Sequence, residues 1–276
     1  MYRIRLNGWS TLRWVFLLFM IILLDFPFFI MLITSLKTKS EVYDTSVFFP
    51  IHMVFSNYIK LWSHTNLSIY FMNSIKIALG STLLVLVLAI PTSYALSRLQ
   101  FKGKNAVLAL LLVIQMFSPI IILVPLYKMF ANHHFLDSIW SLIIINTTFS
   151  ISFAVWFIYS FFNNIPVEID EAAQIDGCNK FDTLIRILTP LAIPSIVTVG
   201  VFSFINAWNE FLFALTFVQT DSKMPITLGL YSFVGRYDVQ WNYMMGASLL
   251  STIPVLILFI LIHKHLVKGL AAGALK

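Results

Sequence analysis

Five of the chain's twelve carboxylate side chains are clustered in one short stretch of an otherwise apolar sequence. The stretch runs from Asn164 to Arg186, and its acidic residues are Glu168, Asp170, Glu171, Asp176 and Asp182. Carboxylates near the start of a helix stabilise its partly positive N-terminal end. The acids therefore indicate short helices that begin within this stretch.

Capping residues predict two such helices with a break between them. Asn164 is expected to cap the first helix, with Pro166 tolerated in its opening turn. The pair Asp176-Gly177 ends that helix, because glycine readily adopts the left-handed conformation with which helices commonly finish. Asn179 then caps the second helix.

Small residues in the same stretch, Ala172, Ala173 and Gly177, allow another backbone to approach closely. The segment could therefore seat in a groove on a partner protein. The alternative is an ordinary solvated loop in which the alanines merely favour helix. The residue types by themselves leave both interpretations open.

The composition places these residues in a membrane protein. Hydrophobic residues make up 59% of the 276 residues, charged residues make up 11%, and the mean hydropathy is +0.87. Soluble domains average about 45–50% apolar and about 25% charged residues. The single cysteine, Cys178, excludes a disulfide framework, and we expect no metal site. The net charge of +6 is spread over short loops, so nucleic acid is not an expected partner.

Six apolar stretches are long enough to cross a bilayer, which needs about 20 residues. They are Trp14 to Leu36, Tyr70 to Ser97, Asn105 to Phe130, Ser138 to Phe162, Ile187 to Val218, and Tyr243 to Leu266. We therefore predict an all-α polytopic membrane protein with six transmembrane helices. Asp25, in the middle of the first stretch beside Pro27, is expected to have a structural role, either bonding the backbone that the proline frees or pairing with another helix.

Lysine and arginine residues orient these spans. With the N-terminus inside, eleven lie on the inner side: Arg3, Arg5, Arg13, Arg98, Lys102, Lys104, Lys180, Arg186, Lys264, Lys268 and Lys276. Seven lie outside: Lys37, Lys39, Lys60, Lys76, Lys128, Lys223 and Arg236. The short run RLQFKGK (98–104) counts most, since positive charge stays on the cytoplasmic side. Both termini and the acidic stretch are thus predicted to be cytoplasmic.

Two outer loops, 37–69 and 219–242, are long for connections in a compact protein. Each is either a solvated cap over the helices or a docking surface for an external partner. The predicted organisation is an N-terminal helix with the first external loop (1–68), a five-helix transmembrane domain (69–266) that contains the cytoplasmic loop 164–190, and a cytoplasmic tail (267–276).

Three polar residues lie within the fifth span. Asn206, Asn209 and Glu210 are spaced at i, i+3 and i+4, so they share one broad helix face. They could line a translocation pathway, contact another subunit, or hold the bundle together by hydrogen bonds. For Glu210 the pathway or a subunit interface is favoured, because a carboxylate that faces lipid is costly.

The acidic stretch also resembles a family signature. Glu171-Ala172-Ala173, then Gly177, Ile187 and Pro190 match the EAA motif of permease subunits in binding-protein-dependent ABC importers, although Thr189 stands where leucine is usual. The resemblance to the maltose and multiple-sugar type extends over nearly the whole chain. It includes the runs NSIKIAL (73–79), YALSRLQFKGK (94–104), AWNEFLFAL (207–215) and KGLAAGALK (268–276).

The resemblance implies a type I ABC importer transmembrane fold in a bacterial or archaeal plasma membrane. The residues implied to couple the chain to a dimeric cytoplasmic ATPase are Glu171, Ala172, Ala173, Asp176, Gly177 and Pro190. The other implied partners are a second, different permease and an external sugar-binding protein. This chain has no Gly-x-x-x-x-Gly-Lys-[Ser/Thr] loop. It is therefore expected to have no catalytic residue and no bound cofactor, while the ATPase binds ATP and Mg.

Two other functions compete with a carbohydrate permease. A self-sufficient secondary transporter would couple ions to substrate through charges at the membrane midplane. A non-transporting membrane scaffold would use the acidic stretch to recruit a soluble protein. The EAA motif at its expected place favours the importer subunit over both.

Overall fold

The computed structural model describes residues 8–235 and 238–274, which are mostly helical. The helices in this part of the chain are α1 (Gly8–Ser35), α2 (Lys39–Tyr43), α3 (Ser56–His64), α4 (Leu67–Arg98), α5 (Lys104–Met116), α6 (Pro119–Asn132), α7 (Ile139–Asn163), α8 (Glu168–Ile175), α9 (Lys180–Asp182), α10 (Thr189–Leu191), α11 (Ile193–Trp208), α12 (Leu212–Phe217), α13 (Ile226–Tyr231) and α14 (Trp241–Ala274). A π-helix (Thr183–Leu188) joins α9 to α10, and a 3-10 turn (Asp221–Lys223) precedes α13.

Four stretches of residues 8–235 and 238–274 are unbroken helices long and apolar enough to cross a membrane: Leu12–Ser35, Leu67–Arg98, Ile139–Asn163 and Trp241–His263. Two helix pairs meet the same criterion only when taken together. Lys104–Met116 and Pro119–Asn132 are bent by 99°, and Lys180–Leu191 and Ile193–Trp208 are bent by 80°. Counted as one span each, the bent pairs bring the total to the six predicted spans.

The third predicted span, 105–130, is bent, whereas the sequence pattern predicts one straight helix. The bend lies directly before Pro119, the first residue of α6. The ring of a proline disfavours the helical conformation of the residue before it. Ser118 is accordingly extended, with φ −68° and ψ 132°, and the helix restarts in a new direction.

The described residues form two compact units, one within Met1–Thr65 and Leu230–Ile253, the other within Asn66–Gly229 and Pro254–Lys276. In the second unit α4 packs against α7 and α11, and α11 packs against α7. Small residues bring these helices close. A Cβ added to Gly80 would lie 2.8 Å from Cδ1 of Ile143, and Ser93 Oγ donates a hydrogen bond to the carbonyl of Val155 at 3.0 Å.

In the first unit the two long loops contain local structure and contact each other. Thr38 and Glu41 form a reciprocal capping box at the start of α2. Lys39 forms an ion pair with Asp238, and Tyr43 Oη donates to the same carboxylate at 2.6 Å. These hydrogen bonds, first from Lys39 and then from Tyr43, lower the pKa of Asp238. The two loops are therefore tied together in this unit.

Some residues used for the orientation lie outside the described part of the chain: Arg3, Arg5, Arg236 and Lys276. Of the predicted tail, 267–276, residues up to Ala274 continue helix α14.

Candidate functional site

The EAA segment, residues 164–190, folds as a short helix, a tight turn and a second helical stretch. Helix α8 ends in a pair of hydrogen bonds in which Cys178 N donates to the carbonyl of Ala173 at 2.9 Å and Gly177 N donates to that of Gln174 at 3.1 Å. This pattern is the Schellman motif, which satisfies carbonyls that a helix end leaves without partners. The predicted end of the first helix at Asp176-Gly177 is confirmed.

Gly177 is required here for its backbone conformation. Its φ is +86°, in the left-handed region that side-chain-bearing residues rarely adopt. A Cβ placed on Gly177 would meet no atom within 4 Å. The turn therefore depends on the conformational freedom of glycine, and the space around Gly177 is open.

The second stretch begins where the sequence predicts. Asn179 Oδ1 accepts hydrogen bonds from the backbone N–H groups of Phe181 and Asp182, both at 2.9 Å. Asp182 also pairs with Arg186 one turn later, at 3.2 Å. The π-helical turn at Thr183–Leu188 was not predicted, because the EAA spacing carries no signal for a wider helix.

The predicted cap at Asn164 was wrong. Asn164 follows the last residue of α7, and its Nδ2 donates to the carbonyl of Ser160 at 2.9 Å. Helix α8 begins after Val167, whose side chain makes no capping hydrogen bond. The apolar helix α7 runs as far as Asn163, so the asparagine side chain serves the end of α7 instead of the start of α8.

The residues implied to couple to an ATPase differ in exposure. Glu171, Ala172, Asp176, Gly177 and Pro190 are exposed. Ala173 is buried, so it packs inside this chain and contributes no surface.

Two large apolar side chains flank the exposed turn. Ile175 is 86% exposed and Phe181 is 70% exposed, one on each side of Gly177. Together with the exposed residues Glu171, Ala172, Asp176 and Gly177 they make up what is here called the turn surface, which combines carboxylates, small residues and apolar side chains. Such a mixture is suited to contact with another protein.

Helix α8 is attached to the rest of its unit through Asp170. Asp170 Oδ2 accepts a hydrogen bond from Arg98 Nε at 2.9 Å, and the two side chains are only 6% and 8% exposed. Arg98 Nη2 also donates to the carbonyl of Ile165 at 3.0 Å. The acid next to Glu171 is thus an internal structural group, whereas Glu171 itself faces outward.

Two of the three polar residues of the fifth predicted span line a cavity of about 360 Å³. Asn206 and Glu210 both line it, and so do Asn146 and Ser150 of α7, with Phe149 between them in sequence. Hydroxyl, amide and carboxylate groups beside an aromatic ring can bind a polyhydroxyl compound by hydrogen bonds and ring contact.

Asn209 does not line this cavity, contrary to the expected shared face. Helix α11 ends at Trp208, and Asn209 is its C-terminal cap, with its N–H donating to the carbonyl of Ile205 at 3.0 Å. Glu210 then accepts hydrogen bonds from the N–H groups of Phe213 and Ala214, at 2.6 and 3.0 Å. It therefore caps α12 as well as lining the cavity.

Three residues of these sites were not singled out from the sequence. Asn146 and Ser150 are polar residues four apart in an apolar span, a spacing that could have indicated a common face. For Arg98 the sequence predicts only a position on the cytoplasmic side. Asp25 is exposed on α1, and within the described residues it has no hydrogen bond or ion pair. It does not bond the backbone near Pro27.

The fold and these features define a polytopic membrane transport subunit. Residues 85–272 match the family model described as the inner membrane component of binding-protein-dependent transport systems. The match covers more than half of the chain, so the chain belongs to this family.

Similar proteins agree with this assignment. The chain is 36% identical over 262 residues to the inner membrane ABC transporter permease protein YcjP of Escherichia coli, covering 94% of this chain and 93% of YcjP. It is 32% identical over 260 residues to the trehalose/maltose transport system permease protein MalG of Thermococcus litoralis, covering 93% of each.

A solved structure shares the fold. A chain of a bacterial ABC transporter involved in the import of the acidic polysaccharide alginate superposes with a TM-score of 0.81, at 21% identity, over 96% of this chain and 98% of that one. The protein therefore has the type I ABC importer transmembrane fold.

Proposed function

We propose that this chain is one of two permease subunits that form a translocation pathway for a carbohydrate, and that its EAA segment couples the pathway to a dimeric ATPase on the cytoplasmic side. An external binding protein delivers the sugar. ATP and Mg are bound by the ATPase, and the substrate is an oligosaccharide or a related sugar. The protein lies in a bacterial or archaeal plasma membrane.

The observation that carries the coupling proposal is the turn surface. Glu171, Ala172 and Gly177 are exposed beside Ile175 and Phe181 on a segment that is itself rigidly built, with a Schellman end and a capped restart. A rigid and partly apolar turn loses little conformational entropy when it docks. An ordinary solvated loop would not need to expose two large apolar side chains.

The cavity around Asn206 and Glu210 supports a contribution of this chain to the pathway. Its polar groups have both hydrogen-bond donors and acceptors, as the hydroxyl groups of a sugar require. Asn209 lies outside the cavity, so of the three residues Asn206 and Glu210 carry this part of the proposal. For Asn209 the proposed role is contact with the second permease.

The test is to tag this chain, purify it gently from its native membrane and identify the proteins that accompany it. The expected partners are a soluble ATPase and a second permease. The purified complex, reconstituted in proteoliposomes with the binding protein encoded beside it, should take up one of a panel of radiolabelled sugars, including maltose, trehalose and alginate oligosaccharides, only when ATP is enclosed with the ATPase.

Ion-driven uptake by the chain on its own would contradict the proposal and establish a secondary transporter. Association with a soluble protein without uptake of any compound would instead indicate a scaffold. The EAA segment by itself does not distinguish an importer subunit, a secondary transporter and a scaffold. The dependence of uptake on enclosed ATP is therefore the deciding measurement.

A further inference from the structure

The ion pair between Arg98 and Asp170 joins parts of the chain that are 72 residues apart. Arg98 is the last residue of α4, a helix that packs against α7 and α11. Asp170 lies in the first turn of α8, beside the exposed Glu171. The pair therefore links the central helices of the unit directly to the turn surface.

Helix α8 has few other attachments. Its buried side chains are those of Asp170 and Ala173, and alanine offers only a small contact area. The second half of the EAA segment is held differently, since Leu184 and Leu188 belong to the apolar core of the unit. Helix α8 is thus held by its packing against the π-helix Thr183–Leu188 and by Arg98, which binds both Asp170 and the carbonyl of Ile165.

Separation of this ion pair is also unfavourable. Both side chains are more than nine-tenths buried, and Asp170 Oδ1 is buried with no hydrogen-bond partner in the described part of the chain. Separation of the pair would leave a buried charge without compensation, which is strongly unfavourable.

We infer that Arg98 is a positioning residue that fixes α8 to α4 throughout the transport cycle, so that the turn surface and α4 move as one rigid body. This inference rests on the proposed function. A partner that pulls on the turn surface would displace α4 through the ion pair. Chains of packed side chains, ion pairs and rigid helices can carry energetic coupling between two sites.

The first test replaces Arg98 by methionine in the reconstituted complex. Arg98→Met should lower ATP-driven uptake of the accepted radiolabelled sugar by about ten-fold or more. The ATPase should still co-purify, because the turn surface keeps its exposed residues. Lys102→Met is the matched control: it removes a cation from the loop directly after α4, but Lys102 is exposed, so uptake should stay at the wild-type level.

A second test distinguishes loss of the link between α4 and α8 from misfolding of the variant chain. Arg98→Cys and Asp170→Cys are combined in a Cys178→Ser background, which removes the chain's single native thiol. A short bifunctional methanethiosulfonate reagent then links the two cysteines reversibly. Uptake should be low before linking, recover after it and fall again on reduction, while neither single-cysteine variant responds to the reagent.

Wild-type uptake in Arg98→Met would overturn the inference. So would a linked double variant that assembles with the ATPase yet stays inactive, since this would mean that the contact must open during the cycle. If the wild-type complex itself shows no ATP-driven uptake of any sugar in the panel, the proposed function fails instead. The two failures are thereby distinguished.

Discussion

Replacement of Gly177 by valine tests whether the shape of the turn couples this chain to an ATPase. The φ of +86° forces valine into the left-handed region, which costs about 1–3 kcal/mol. A Cβ would meet no atom within 4 Å, so steric overlap inside the chain adds nothing. The strain alone would reduce the equilibrium constant for forming the native turn by about 5- to 150-fold.

Gly103→Val provides a matched control. Gly103 has φ +98°, and a Cβ there would also meet no atom within 4 Å, so the two variants carry similar strain in two different loops. We expect Gly177→Val to abolish ATP-driven uptake in proteoliposomes and Gly103→Val to retain most of it, with both chains inserted in the membrane. Gly177→Asn should retain more uptake than the valine variant, because asparagine adopts left-handed φ values more readily.

The measurements are sugar uptake, ATP hydrolysis by the same vesicles, and the elution profile of each purified complex. Wild-type uptake by Gly177→Val would refute the assignment of the turn to coupling. Equal loss in Gly177→Val and Gly103→Val would also refute it, because the effect would then follow backbone strain anywhere in the chain.

Three further predictions concern charged side chains. Glu171→Lys should reduce ATP-driven uptake by about ten-fold or more. Glu168→Lys reverses a charge in the same first helical turn and should leave uptake unchanged. Similar uptake in both variants would contradict a contact between Glu171 and the ATPase. Glu210→Ala removes the acceptor for two N–H groups of α12 and should cost about 0.5–2 kcal/mol of stability in a detergent melting assay, while Glu210→Gln, which keeps one acceptor, should lose less. Burial opposes ionisation of Asp137, but hydrogen bonds from Lys223 and Thr220 hold the pKa of that carboxyl well below its usual value. Since an unfolded aspartate titrates near pH ~3.9, this stabilisation is present above about pH 4 and is lost as the pH falls further. Asp137→Asn should therefore melt at a lower temperature than wild type at pH 7, and a difference that does not shrink in acid would contradict the role of the charge.

Features that depend on neighbouring residues were predicted well from the sequence. The end of α8 at Gly177 and the cap at Asn179 each involve hydrogen bonds within five residues, so their signals are local. The six spans were also predictable from the sequence, because a bilayer requires a minimum length of apolar chain. The break before Pro119 could have been predicted from the proline, but the length of an apolar stretch does not indicate a break within it.

Features that depend on distant residues could not be predicted in this way. The spacing of Asn206, Asn209 and Glu210 indicates a common face only if the helix continues, and α11 ends at Trp208. Whether Asn146 and Ser150 join Asn206 around one cavity depends on how α7 and α11 pack, which no single helix pattern contains.

The acidic cluster shows most clearly how one sequence pattern contains two kinds of residue. Asp170 and Glu171 are adjacent carboxylates, and a step of one residue turns a helix by about 100°. Asp170 consequently points inward to Arg98, while Glu171 points outward on the turn surface. The same helical turn thus carries an anchor to α4 and a charge that is free to contact another protein. A segment that transmits force between two proteins needs both, because an exposed contact without an internal attachment would move independently of the membrane helices.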